Sequence, residues 1–407
     1  MRPAVVLAVC VVALIFVAGS LFAGDWPAFR GPKADGISPE TGINRDWKNK
    51  PPKELWRVEM HDRGYSGPSV VDGKVFIIDH KGSDDVVRAI NLAAGKDIWS
   101  FTYPDSDKEN LGFSRATPLV ENGRVYAVSM LGVVHCLDAK TGAKIWSRNI
   151  IKDFTGTRPT YFVSASPVID GDRLIVYPGG QDASVAALNK DTGETLWRGG
   201  GSDMPAYATP VVATLAGKKQ YVVLTTKTLL GVDAESGKVL WTFPYPAKNG
   251  TNVSTPVVVG ENRVFITSLH MNGCVMVEVS AAGARAAWTN QNINALVSTP
   301  VYCDGYLYGN RAKDSLVCVD AATGARVWEQ TGFEHGGLIA ADGTIIAVNG
   351  KTGTVVMVEM SPKGYKELGR IDPFAKVEKS VWTAPVVAEG KVLVRDTRVL
   401  VCFDLKP

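Results

Sequence analysis

DAKTGAKIW, Asp138 to Trp146, is the stretch whose reading decides the fold. Alone it is a turn followed by the start of a strand. It returns as NKDTGETLW ending at Trp197, DAESGKVLW at Trp241 and DAATGARVW at Trp328. A second phrase, a small residue plus proline opening a short strand, alternates with it. ATPLVENGRVYAVS, ASPVIDGDRLIVYP, STPVVVGENRVFITS and TAPVVAEGKVLVRD are copies; GGLIAADGTIIAVNG keeps the pattern with Leu338 in place of proline. Either anchor recurs every ~40 to 50 residues, the repeat length of a propeller blade.

Each unit reads as four strands. In the second unit these are TPLV, RVYAVS, VVHCLD and KIWSRNI, with ENG and KTG as hairpin connections. Gly supplies positive φ in such turns, and the Asp or Asn heading the phrase bonds the backbone of the turn. The strands are rich in Val, Ile and Tyr, and no amphipathic helical period interrupts them. A four-stranded blade is too thin to bury its own faces, so a large flat side chain must fill the wedge between neighbours. Burying an indole removes about 150–250 Å² from water, a gross gain of roughly 4–6 kcal/mol at about 25 cal/mol per Å². Trp56, Trp99, Trp146, Trp197, Trp241, Trp288 and Trp328 are expected to dock blades in this way. Two units depart from the pattern. VSAAGARAAW has one extra residue before Trp288, and MSPKGYKELG has no Trp, with Leu368 nearby. Looser or altered outer turns are expected there.

The final unit stops after its third strand, LVCFDLK, whereas KELWRVE at 53–59 is a Trp strand with no blade before it. Residues 55–58 are therefore expected to complete the last blade, leaving no open sheet edge. The predicted fold is all-β: an eight-bladed propeller of four-stranded antiparallel blades over 53–407. An arm at 24–52 and a signal segment at 1–23 precede it.

With 45% hydrophobic residues in 407, a large core can be buried. A net charge of +3 without a basic stripe excludes an electrostatic nucleic-acid binder. Arg2 is the only charge before an uncharged stretch at 3–24, whose small residues at 18–20 and 21–23 suit a signal peptidase. The stretch is also long enough to serve as an uncleaved anchor. Either way the body is expected outside the cytoplasm, periplasmic or secreted, with membrane contact only through this segment. Three of the six cysteines, in HCLD, VCVD and VCFD, share one repeat position that is Ala89, Ala187 or Gly231 elsewhere. They read as small buried residues rather than a disulfide framework.

The A-x-[DN]-x-x-[TS]-G-x-x-x-W phrase resembles the repeat of the PQQ-like β-propellers, a superfamily that includes quinoprotein alcohol dehydrogenases and BamB. The opening DWPAFRGPKADGISPETGI, from Asp25, resembles the lead segment of secreted members, notably from planctomycetes. Trp26 and Phe29 would anchor it against the ring. The quinoprotein likeness would imply pyrroloquinoline quinone (PQQ) and Ca²⁺ in the axial funnel. The adjacent-cysteine pair of those enzymes is missing here, and no Ca²⁺ ligands can be carried over, so no cofactor is expected. His61, His80, His135, His270 and His335 show no zinc spacing. DSDKE at 105–109 and DGD at 170–172 read as solvated turns.

The remaining candidate surface is the channel mouth. One step before the small residues, the repeat is heterogeneous: Tyr65, Arg115, Tyr207, His335 and Trp382, joined by Tyr161 from an adjacent loop. Uniform structural roles favour uniform residues, and a mixed aromatic and polar set on loops suggests recognition. The function expected is a non-enzymatic extracytoplasmic scaffold of the BamB-like type, binding an envelope protein or peptide. The alternatives are a quinoprotein-like oxidoreductase and a carbohydrate-binding propeller.

Overall fold

The computed structural model describes residues 24–107, 111–271, 273–311 and 314–407. The segment at 1–23 lies outside them. Eight sheets follow one another along the chain. Blades 1 to 6 hold four antiparallel strands each, within 69–104, 119–149, 168–199, 211–244, 257–290 and 301–331. Blade 7, within 338–371, gains a fifth strand from the arm. Blade 8 joins three strands within 386–404 to Glu54–Glu59. In that junction Trp56 pairs with Cys402, Arg57 with Val401 and Val58 with Leu400. The two ends of the propeller thus share one sheet.

The repeated phrase works between blades. Asp138 Oδ1 accepts the N–H groups of Lys140 at 3.0 Å and Thr141 at 2.7 Å, which builds the turn. Gly142 follows with φ 75°, and a Cβ there would lie 2.6 Å from the indole of Trp99, one blade earlier. Only glycine meets both demands. The Trp99 indole N–H donates to Ala139 O at 3.1 Å in the same turn. Trp56, Trp146, Trp288 and Trp328 reach the next blade likewise, donating to Leu92 O, Lys190 O, Ala321 O and Ser361 O at 2.8–3.2 Å. Trp197 packs against Gly237 of blade 4. Trp241 faces blade 5, whose outer turn is a tight hairpin with Ser280 paired to Gly283. That turn is altered, as expected, but tighter rather than looser. It lacks the Asp-headed turn, and Trp241 instead donates to Gln220 Oε1 of its own blade at 2.6 Å.

The residue ahead of each Trp is a bulge. Lys144 pairs with Leu137 and Trp146 with Cys136, which leaves Ile145 out of register. Ile145 is 45% exposed, and the equivalent Leu55, Ile98, Leu196 and Val327 are exposed too. The bulge turns an aliphatic outward so that the next residue faces the neighbouring blade. Cys136, Cys318 and Cys402 sit opposite a Trp as buried free thiols. Burial pushes each thiol up, to about 11 for Cys136 and Cys318 and about 12 for Cys402.

Blade 7 places Gly369, opposite Met357, where the others have Trp. The indole comes from the arm instead. Trp47 is 1% exposed, and a Cβ on Gly369 would lie 2.6 Å from the Cβ of Trp47. The Lys48 N–H donates to Leu368 O at 3.0 Å, and the Trp47 indole to Asn44 O at 3.0 Å.

Candidate functional site

In blades 2 to 6 the small residue before the proline stitches neighbouring blades together around the axis. The Thr117 N–H donates to Ser166 Oγ at 2.9 Å, Ser166 N–H to Thr209 Oγ1 at 3.0 Å, Thr209 N–H to Thr255 Oγ1 at 3.2 Å and Thr255 N–H to Thr299 Oγ1 at 3.0 Å. This belt runs from blade 2 to blade 6. It stops where the position becomes Gly337, Ala384 and Gly67, in blades 7, 8 and 1. At this belt position the axial cavity is therefore two-sided, with hydroxyls along one arc and Gly or Ala along the other.

One end of the channel is crossed by the arm. Trp26 and Val70 exchange backbone hydrogen bonds of 2.8 and 2.9 Å in blade 1, and Val120 N–H of blade 2 donates to Pro27 O at 2.8 Å. Across the axis, Arg30 donates to Thr299 O at 3.1 Å and Pro300 O at 2.9 Å in blade 6. Its other bonds go to Ala34 O and Asp35 O within the arm. Burial pulls the guanidinium down to about 10, so it stays charged at neutral pH. Ile37–Ser38 then adds in parallel to Leu338–Ala341 of blade 7, and Ser38 Oγ donates to Val387 O of blade 8 at 2.9 Å.

Trp26, Phe29 and Arg30 form the floor of a cavity of about 340 Å³. Tyr65 lies five residues before Val70, roughly 16 Å away along extended chain, so the sequence-predicted rim stands at the other end. Tyr65, Arg115, Tyr161, Tyr207 and Trp382 all line the cavity, and His335 does not. Tyr65 and Trp382 stack on each other at 4.9 Å and 22°. The Tyr161 N–H donates to the Tyr207 hydroxyl at 3.1 Å. Arg115 donates to Tyr161 O and to Gly112 O, and its guanidinium lies 5.2 Å from the ring centre of Phe162. Ser114, Phe162 and His335, in loops that lead into inner strands, hold positive φ of 27°, 65° and 42°. Non-glycine residues in that region store strain, which clusters at functional loops. Burial holds the His335 imidazole below its ordinary range, and its Nδ1 has no partner among the described residues.

The sequence reading missed Arg30, the hydroxyl belt and Trp47. The [ST]-P repeat was a visible trace of the belt; nothing local marked the other two. Two aspartates expected in solvated turns are not solvated. Asp170 binds the Tyr221 hydroxyl at 2.9 Å and pairs with Lys219. Asp105 is 1% exposed and accepts the Met130 N–H at 3.0 Å. Burial and the neighbouring Asp85 push its carboxyl up to about 7. Asp85 in turn accepts from His80 Nδ1 at 2.9 Å, Ser114 Oγ at 2.8 Å and the Tyr103 hydroxyl at 3.2 Å. The Ser114 hydroxyl bonds the carboxylate and not the imidazole, so this is no nucleophile–base pair.

A family model described as outer membrane protein assembly factor BamB, built on PQQ-type repeats, matches residues 83–330 and 314–406. The chain belongs to this family. BamB of Burkholderia pseudomallei is 27% identical over 64% of this chain and 61% of its own length. BamB of Moranella endobia is 23% identical, over 62% of this chain and 66% of its own. The quinone-dependent alcohol dehydrogenase subunit of Gluconacetobacter polyoxogenes is 30% identical, but over 43% of this chain and 25% of its own. Among solved structures, BamB of Moraxella catarrhalis superposes with a TM-score of 0.62 at 14% identity, covering 87% of this chain and 99% of its own. A europium-containing methanol dehydrogenase superposes at 0.70 and 12% identity, covering 94% and 98%. At such identities the structural likeness concerns the fold alone.

The lining of the axial cavity does not match the donor set of a Ca²⁺ site. No Asp or Glu lines the axial cavity among the described residues. No three His, Cys, Asp or Glu side chains gather there or elsewhere among them as a metal site. A hard cation takes several oxygen ligands with carboxylates among them, and the lining offers hydroxyls and the Asn249 amide instead.

Proposed function

We propose that this chain is a non-enzymatic binding and assembly scaffold of the bacterial envelope, outside the cytoplasm. It grips a segment of a partner protein at the mouth of its axial cavity. The observation that carries the reading is the lining: aromatic rings, hydroxyls, guanidinium groups, the Asn249 amide and the His270 imidazole converge there, without a carboxylate or a metal cluster among the described residues. Such a surface is suited to holding a ligand. Family membership supports an assembly role, and the envelope location of proteins named outer membrane assembly factors supports the compartment.

The test is a pull-down of envelope extract on immobilised protein, beside Trp382→Ala and Tyr207→Ala. Both variants are expected to lose the partner retained by the parent chain. Retention unchanged in both would remove the mouth as the site. Melts with PQQ plus Ca²⁺ are expected to show no shift; a shift abolished in Trp382→Ala would favour an oxidoreductase instead. Specific capture of a glycan, lost in the same variants, would favour a carbohydrate ligand.

A further inference from the structure

The axial cavity says more about its occupant than that it is a segment of a partner. The floor is closed by Trp26, Phe29 and Arg30, in a segment whose Trp26 and Pro27 backbone and Arg30 side chain tie blades 1 and 2 to blade 6 across the axis. A polypeptide entering from the mouth cannot pass through, and about 340 Å³ admits the end of a chain but no folded module. What reaches the floor is therefore a terminus.

The wall chemistry decides which terminus. Ser166, Thr209 and Thr299 line the cavity, each more than nine-tenths buried. Each hydroxyl oxygen already accepts the N–H of the blade before it. None donates its own proton to any described residue. A hydroxyl has one proton to give, so this arc presents a row of donors fixed in place by the ring itself. Beneath them sits the buried Arg30 guanidinium, bonded only to carbonyl oxygens. Asp35, whose charge acts on Arg30, accepts the Ile37 N–H at 2.9 Å and does not line the cavity. A donor-rich wall over a positive floor, with no carboxylate facing it among the described residues, repels an ammonium group and complements a carboxylate. The opposite arc is different. Gly67, Gly337 and Ala384 carry no hydroxyl there, and Leu338, Ile339 and Trp382 give an apolar face.

We infer that the cavity receives the free carboxyl terminus of a partner polypeptide, with an apolar or aromatic last residue against blades 7, 8 and 1 and its carboxylate against the hydroxyls of blades 3, 4 and 6. The inference rests on the scaffold reading and specifies what enters the mouth.

The experiment uses the whole protein and fluorescein-labelled dodecapeptides ending in Phe, Leu, Ser or Lys, each as free acid and as C-terminal amide, followed by anisotropy. The acids ending in Phe and Leu are expected to bind at least about tenfold more tightly than their amides, the scale of one charge-assisted hydrogen bond. Thr209→Val is expected to narrow that ratio, and Thr209→Ser, which keeps the hydroxyl, to restore it; thermal melts confirm that both variants fold. A set in which no free acid outbinds its amide overturns the inference. If the envelope pull-down still depends on Trp382 in that case, the scaffold reading stands and only the carboxyl terminus falls. If neither assay depends on the mouth, both fall.

Discussion

Asp105 joins the end of blade 1 to the loop of blade 2 that carries Met130, and it does so beside a second buried carboxyl, Asp85. Two such groups in contact favour a shared proton, so Asp105 keeps its proton up to about pH 7 in the folded chain. An unfolded aspartate releases it at about 3.9. Between those values the native state binds more protons than the unfolded state, so this site makes stability fall as pH rises from ~4 to ~7. Asp105→Asn keeps the shape and removes the titration. The difference in Tm between variant and parent is expected to grow in the variant's favour as pH rises from 4.5 to 8, and thermal melts across that range check it. A constant difference would mean that Asp105 is ionised throughout.

The fourth strand of each blade is an element with a divided task. Its bulge sends one aliphatic to solvent and the following indole onto the next blade, which is why Ile145 is exposed while Trp146 packs inward. Blade 7 keeps the bulge but has Gly369 at the docking position, and the arm supplies Trp47 to the same place. An indole borrowed from the arm is thus part of the core shared by blades 7 and 8. Trp47→Ala is expected to cost about 3–5 kcal/mol, the usual range for truncating a buried aromatic. Urea unfolding measures it. A loss under ~1 kcal/mol would show that the arm only rests on the ring.

At the scale of the whole molecule the arm is the structural surprise. It crosses the axis, adds a strand to blade 7, fills its missing Trp position and then becomes the outer strand of blade 8. Ring closure and channel floor are therefore one continuous segment. Deleting 54–59 leaves the strand Val399–Asp404 with an unpaired edge and one interface without its indole. Cooperative unfolding is expected to be lost in calorimetry of that deletion. A single transition at the parent temperature would refute closure as the source of cooperativity.

Blade number, strand boundaries and the pairing of residues 55–58 with the final strand were legible because they repeat: each blade meets the same packing problem and solves it with the same residues in the same order. Tyr65, Arg115, Tyr161, Tyr207 and Trp382 stood out for the opposite reason, since they break the repeat, and all five line the cavity. His335 breaks it too, yet lies off the cavity, because pattern-breaking marks a loop without saying where its side chain points. Trp47, Arg30 and the depth of Asp105 could not be read from the chain. Each depends on a partner elsewhere in the fold: Gly369 at 322 positions' remove, Thr299 at 269 and Met130 at 25. Local propensity and periodicity determined the ring; which end of it is closed, and what chemistry faces inward, was decided only when distant segments met, because burial and hydrogen-bond satisfaction are properties of the assembled core and not of any stretch of sequence.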